Sequence, residues 1–343
     1  MNKQNKEIIM NKLTKIGASA LCGSLAGISV ASAGDLSASG SAALTWMSKS
    51  DAVTGNPIGM ASAVTFAGSG ELDIGWTVDL SIALADGGGY SNTNVTIGVP
   101  GIGDIRIDQG TSGTGIQRMD DMTPSAWEEA DGAGLGAGIN KIAGTSAGGT
   151  IEVTPTEHMP DGLTARFAFA KDSDSGNTND KTTGGSSGVL GSGWDLTLEA
   201  SSDLTGVDGL TLYGGISQVE QYQNASTYDG DVKETVYGFK YAVGGFTFGA
   251  QTSDEDTGAT ATASYDNIAY GITFQISDDL AVSYGHTESD NGATTAEADS
   301  LQASYTMGGA TISIAEVEVN NATYSTASTA DKDATIISLG LAF

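Results

Sequence analysis

Beyond residue 34 the chain is written in short runs of period two, with apolar residues on one parity and small or polar residues on the other. Clusters of Gly, Asp, Asn and Ser separate the runs. One long stretch holds Val64, Phe66, Leu72, Ile74, Trp76, Val78, Leu80, Ile82 and Leu84 on a single parity. Leu163, Ala165, Phe167 and Phe169 repeat the pattern, as do Ile268, Tyr270, Ile272 and Phe274, and the chain closes on Ile337, Leu339, Leu341 and Phe343. Counted together, the runs predict about sixteen strands. In ISIAEVEV the apolar parity passes from Ile312 and Ile314 to Val317 and Val319, which predicts a bulge near Ala315.

The connections alternate in length. Short ones at 100–103, 243–245, 277–279 and 308–309 interleave with long polar ones at 171–191, 218–231, 252–259, 288–298 and 320–333. Hairpins whose turns are short on one rim and long on the other suit an antiparallel sheet that faces hydrocarbon. Such a sheet has to close on itself, because lipid offers no partner to a free backbone edge. The predicted fold class is therefore all-β, a transmembrane antiparallel β-barrel of about 16 strands.

Composition narrows this further. Lys3, Lys6, Lys12 and Lys15 precede or open onto an apolar stretch, Ile16 to Val30, that ends in Ala31-Ser32-Ala33. That layout predicts a cleaved signal peptide at 1–33, with Met1 or Met10 as the start, and a single barrel over 34–343. The stretch is shorter than the roughly 20 residues of a spanning helix. Cys22, the only cysteine, lies within it, so the mature chain has no thiol for a disulfide or a metal. With 42 acidic against 14 basic residues the chain repels nucleic acid phosphates, and no nucleic acid partner is expected.

Strand parity turns Arg106, Arg166 and Lys240 inward, since a charge facing lipid costs about 2–4 kcal/mol at the midplane. There they either border a constriction or pair with Asp104, Asp108 or Glu152 on neighbouring walls. His158 and His286 are far apart, and no G-x-S-x-G frame is present, so no enzyme is predicted. The acidic stretches 172–180 and 253–260 lack EF-hand spacing. They admit loosely bound Ca2+ but no specific metal or cofactor.

With the charged leader, the cysteine-free body, the alternating strands and the terminal Leu339-x-Leu341-x-Phe343, the chain resembles the general porins of Gram-negative outer membranes, closest to the alphaproteobacterial type. The resemblance implies that Ile337, Leu339, Leu341 and Phe343 are read by the barrel assembly machinery. It also implies a constriction loop folded into the barrel, matched to 110–148, with Asp120, Asp121, Glu128, Glu129 and Asp131 on its acidic side. The arginine cluster and Pro-Glu-Phe-Gly-Gly loop of enterobacterial relatives are absent. The expected function is passive diffusion of small hydrophilic solutes and ions through a water-filled, weakly cation-selective channel in the cell outer membrane. The expected assembly is a homotrimer, bordered by lipid and lipopolysaccharide. A substrate-specific channel and a secreted acidic adhesin are the alternatives.

Overall fold

The computed structural model describes residues 35–50, 55–110, 113–131, 133–174, 189–222, 227–261 and 264–343. The leader assigned to 1–33 and residues 175–180 of the first acidic stretch lie outside them. Sixteen strands form one closed antiparallel barrel in which each strand bonds its sequence neighbours and the last returns to the first. The first half comprises β1 (Leu36–Lys49), β2 (Ile58–Glu71), β3 (Thr77–Leu84), β4 (Tyr90–Val99), β5 (Gly103–Asp108), β6 (Thr150–Pro155), β7 (Leu163–Ala170) and β8 (Leu190–Ala200). The second comprises β9 (Leu210–Gln221), β10 (Val232–Val243), β11 (Phe246–Asp256), β12 (Ser264–Ser277), β13 (Leu280–Asp290), β14 (Thr295–Met307), β15 (Ala310–Asn320) and β16 (Lys332–Ala342).

Closure depends on the final segment. β16 pairs with β1 from Ser41 opposite Ala342 to Lys49 opposite Ala334. Beyond that ladder the Gly40 N–H donates to the Phe343 carbonyl at 2.8 Å, and the Phe343 N–H donates to the Gly40 carbonyl at 3.0 Å. The Phe343 ring lies over Gly40, where a Cβ would come within 2.5 Å of it. Glycine there makes the seat for the ring.

The alternation sorts side chains as a barrel in lipid requires. Leu44, Phe167, Leu198, Tyr270, Leu301 and Ile314 are exposed on the outside, while their strand neighbours Asp195, Thr197, Gln251, Ser283, Gln302 and Ser313 are buried on the inside. This inverts the soluble rule, because the outer solvent is hydrocarbon and the inner face meets water or a polar loop.

Wall height differs around the barrel. β5 and β6 have 6 residues each and β3 and β7 have 8. The strands from β8 round to β2 have 11 to 14, β8 and β12 marking the extremes. At ~3.3 Å per residue and a tilt near 40°, six residues rise about 15 Å and eleven about 28 Å.

Two details depart from the sequence pattern. No bulge interrupts β15, which pairs in unbroken register with β14 and β16, Ala315 lying opposite Gln302 and Ile336. The parity shift has another cause: Ile312 and Ile314 face out, whereas Val317 and Val319 face in and are buried with Ala133, Leu135 and Ala137 from the β5–β6 connection. The interior is greasy there because a segment of chain packs against it. The long run from Val64 to Leu84 is also broken: Leu72–Trp76 form the β2–β3 turn, closed by the Leu72 N–H to the Trp76 carbonyl at 2.8 Å. Its five residues preserve parity, so Val64 opposite Leu84 and Phe66 opposite Ile82 share a face.

Candidate functional site: the inward loop

The connection from Asp108 to Thr150 does not stand above the rim. Its backbone is bonded to side chains on the inner faces of strands far across the barrel. The Met122 N–H donates to Gln251 Oε1 on β11 at 3.2 Å, and the Ala126 N–H to Ser283 Oγ on β13 at 2.8 Å. Gln302 on β14 holds both backbone groups of Glu128: Oε1 accepts from the Trp127 and Glu128 N–H groups at 3.1 and 3.0 Å, and Nε2 donates to the Glu128 carbonyl at 2.7 Å. The segment then packs Ala133, Leu135 and Ala137 against β14–β16 and Met47 of β1. From there it returns through Asn140, whose N–H reaches Tyr324 Oη at 2.7 Å.

Wall carboxylates fasten the two ends. Glu152 on β6 accepts the Gly115 N–H at 2.8 Å and pairs with Arg118 at 2.5 Å. Asp195 on β8 accepts the Ile116 N–H at 3.2 Å from the outgoing end, and the Thr145 N–H and Oγ1 at 3.2 and 2.8 Å from the returning end. Glu234 on β10 accepts the Ala143 and Gly144 N–H groups at 2.8 and 2.7 Å. Hydrogen bonds to a charged partner contribute about 1.5–3 kcal/mol each, so these three acids outweigh any single contact at the tip. Gly115 (φ 57°) and Gly144 (φ 54°) allow the approach: a Cβ at either would meet the Asp195 carboxylate, at 1.7 and 2.6 Å.

Between the outgoing limb (113–131) and the returning limb (139–149) lies an acidic cluster. Asp120, Asp121, Glu129 and Asp131 surround Lys141, with Asn267 of β12 and Thr287 of β13 behind them. The Lys141 ammonium pairs with Glu129 and, at 2.9 Å, with Asp131. Burial pulls the Lys141 pKa down, but the Asp131 and Glu129 carboxylates more than offset this and leave it raised. Burial lifts Glu129 to about 7, helped by Asp121 and opposed by Lys141. Burial also raises Asp120 and Glu128, the latter assisted by Glu129 and Asp131. At neutral pH the cluster carries less negative charge than its carboxylate count suggests.

A closed sixteen-strand barrel with a long third loop bonded to its inner wall has known counterparts. The sequence profile of a family described as Gram-negative porin matches residues 17–327. This chain belongs to the Gram-negative porins. It resides in the outer membrane as a porin channel. Among solved structures it is similar to OmpF of Salmonella typhi in complex with daunomycin, with a TM-score of 0.66 and 12% identity over 90% of this chain and 98% of that one. It is also similar to a loop-deletion variant of OmpT from Vibrio cholerae, with a TM-score of 0.62 and 11% identity over 90% and 99%. The anion-selective porin of Comamonas acidovorans matches with a TM-score of 0.59 and 13% identity over 90% and 99%. Comparison with curated proteins finds no match.

The porin's sequence-predicted residues are distributed unevenly. Asp120, Asp121, Glu129 and Asp131 come together around Lys141, whereas Glu128 is not among the residues lining that cluster and its backbone is bonded to Gln302. Lys240 extends inward from β10 to within 3.9 Å of Met122 Sδ on the loop. Arg106 and Arg166 are each paired on their own wall: Arg106 with Asp108 at 2.9 Å and with the Gly113 carbonyl at 3.2 Å, Arg166 with Glu199. Ile337, Leu339, Leu341 and Phe343 share the outer face at the β1 seam.

Asp195 and Glu234 were not legible as anchors, and Lys141 was not legible as part of the eyelet. Their partners are main-chain N–H groups 50 to 91 residues away, which leave no pattern in sequence.

Proposed function

We propose that this porin is a general diffusion channel for small hydrophilic solutes and ions, with a weak preference for cations. The observation that supports the reading is the bonding of the β5–β6 connection to the inner wall, with Asp120, Asp121, Glu129 and Asp131 gathered between its limbs. Carboxylates lining a narrow aqueous passage lower the energy of cations and raise that of anions. The preference is weak because Lys141, and the partial protonation of Glu129 whose pKa burial lifts to about 7, remove part of the charge. Passage needs no reaction and no cofactor; size and field select. The fold leaves the sign of selectivity open, since the similar Comamonas porin is described as anion-selective.

The proposed assembly is a trimer with the low sector from β3 to β7 turned to its centre. A wall about 15 Å high at β5 and β6 and about 20 Å at β7 is shorter than the ~25 Å apolar band of a barrel in lipid, yet Ile107, Ile151, Phe167 and Phe169 are exposed on it. Neighbouring copies would cover these groups. Reversal potentials in planar bilayers under a KCl gradient test the selectivity: potassium should pass more readily than chloride, and a clear chloride preference would refute it. Liposome swelling that rises with solute concentration without saturation supports a general rather than a substrate-specific channel.

A further inference from the structure

General porins need an eyelet that admits ions of both signs, and an acidic loop alone would work against anions. Each basic side chain described on the inner wall near the loop is already engaged locally. Arg106 contacts Asp108, Arg166 contacts Glu199, Lys240 lies beside Met122 Sδ, and Lys332 of β16 donates to the Gly136 carbonyl at 3.4 Å. Within the loop, Arg118 is taken by Glu152. None of these is recorded in contact with the acids of the loop's centre. The groups packed behind that centre are neutral: Gln251 and Ser253 of β11, Asn267 of β12 and Thr287 of β13, while Glu255 of β11 faces it through Asn140. Of the side chains around the small cavity between the limbs, about 20 Å³ in volume, Lys141 is the one cation among the described residues.

Its position is fixed. Lys141 sits on the returning limb, between Asn140, bonded through its N–H to Tyr324 of the β15–β16 connection and through its side chain to Glu255 of β11, and the bonds of Ala143 and Gly144 to Glu234 of β10, and it reaches across to Glu129 and Asp131 on the outgoing limb. The neighbouring backbone is therefore held by Glu234 and Tyr324 independently of the ion pair. Removing the ammonium changes the field without removing the attachments of the loop.

We propose that Lys141 is a specificity-determining residue of this channel, an internal counter-ion that neutralises the acidic loop from within and keeps its cation preference weak. The inference rests on the cation-preferring reading above. A unit charge at several ångströms from a narrow aqueous path, partly screened at 0.1 M salt, changes the cation-to-anion permeability ratio by roughly threefold.

The test is the reversal potential of the purified full-length channel in planar bilayers under a tenfold KCl gradient, for wild type, Lys141→Gln and Lys141→Arg. Lys141→Gln should raise the potassium-to-chloride ratio about threefold, and Lys141→Arg should keep the wild-type value. The difference should shrink near 1 M salt, where screening acts within ~3 Å. A steric disturbance of the loop would persist at high salt and would appear in both variants. Should Lys141→Gln give no channels, Glu129→Gln with Asp131→Asn leaves the lysine uncompensated and should lower the ratio below the wild-type value. A cation-selective wild type whose ratio is unmoved by Lys141→Gln, or moved equally by Lys141→Arg, overturns the proposal alone. An anion-selective wild type overturns the underlying reading instead.

Discussion

The wall from β3 to β7 and the wall from β8 to β16 differ in height and in what their inner faces hold. In the tall sector, strands of 11 to 14 residues carry apolar groups outward and a row of buried acceptors inward, among them Asp195, Glu234, Gln251, Ser283 and Gln302. In the low sector, strands of 6 to 10 residues carry Ile107, Ile151 and Phe167 outward, and its described inner-face bonds to the loop beyond residue 114 come from β6 alone, from Glu152 and from Thr150, whose Oγ1 donates to the Thr145 and Gly148 carbonyls at 2.8 and 3.1 Å. In the proposed trimer, height would track the outer neighbour, lipid or protein. Inner polarity tracks the loop, which lies along one side of the lumen and gives up its N–H groups there.

The comparison can be broken most directly by a charge on the outer face. Ile314→Arg, in the tall sector, should destabilise the folded barrel by about 2–4 kcal/mol, read from urea titration of refolding into liposomes. Phe167→Arg, in the low sector, should instead reduce oligomer recovery on gels while the heat-modifiable monomer band survives. Equal loss of barrel stability in both would remove the distinction between the walls. Next in size is the latch. Asp195→Ala with Glu234→Ala removes several charge-assisted bonds worth about 1.5–3 kcal/mol each and should raise single-channel conductance by freeing the loop. Gly144→Val should act in the same direction, because its Cβ would meet the Asp195 carboxylate.

A smaller effect is expected from pH. Glu129, raised to about 7, holds a proton in the folded chain between roughly pH 4.5 and 7 that the unfolded chain does not. Its contribution to stability therefore falls as pH rises through that window. The loop also gains negative charge, so the potassium-to-chloride ratio should be greater at pH 8 than at pH 5.5. Glu129→Gln should flatten that dependence. A ratio independent of pH in the wild type would show that Glu129 does not face the permeation path.

Much of the barrel was legible because lipid imposes period two on every strand, so Phe167, Tyr270 and Ile314 declared their outward face without any knowledge of partners. The acidic side of the eyelet was legible as a local density of Asp and Glu. Where two neighbours act on one residue, the pattern misled: Val317 and Val319 imitated a bulge because the loop, not water, covers them. Leu72, Ile74 and Trp76 read as strand because a five-residue turn keeps parity.

The sequence alone determined the closed sheet, its strand number, its outward face and its acidity, since each follows from local periodicity and composition. Only the tertiary structure decided which acids are latches, which are compensated and which lysine compensates them. Those roles are set by contacts such as Ile116 with Asp195, 79 residues apart, and a distance in space between residues so separated is carried by no local pattern.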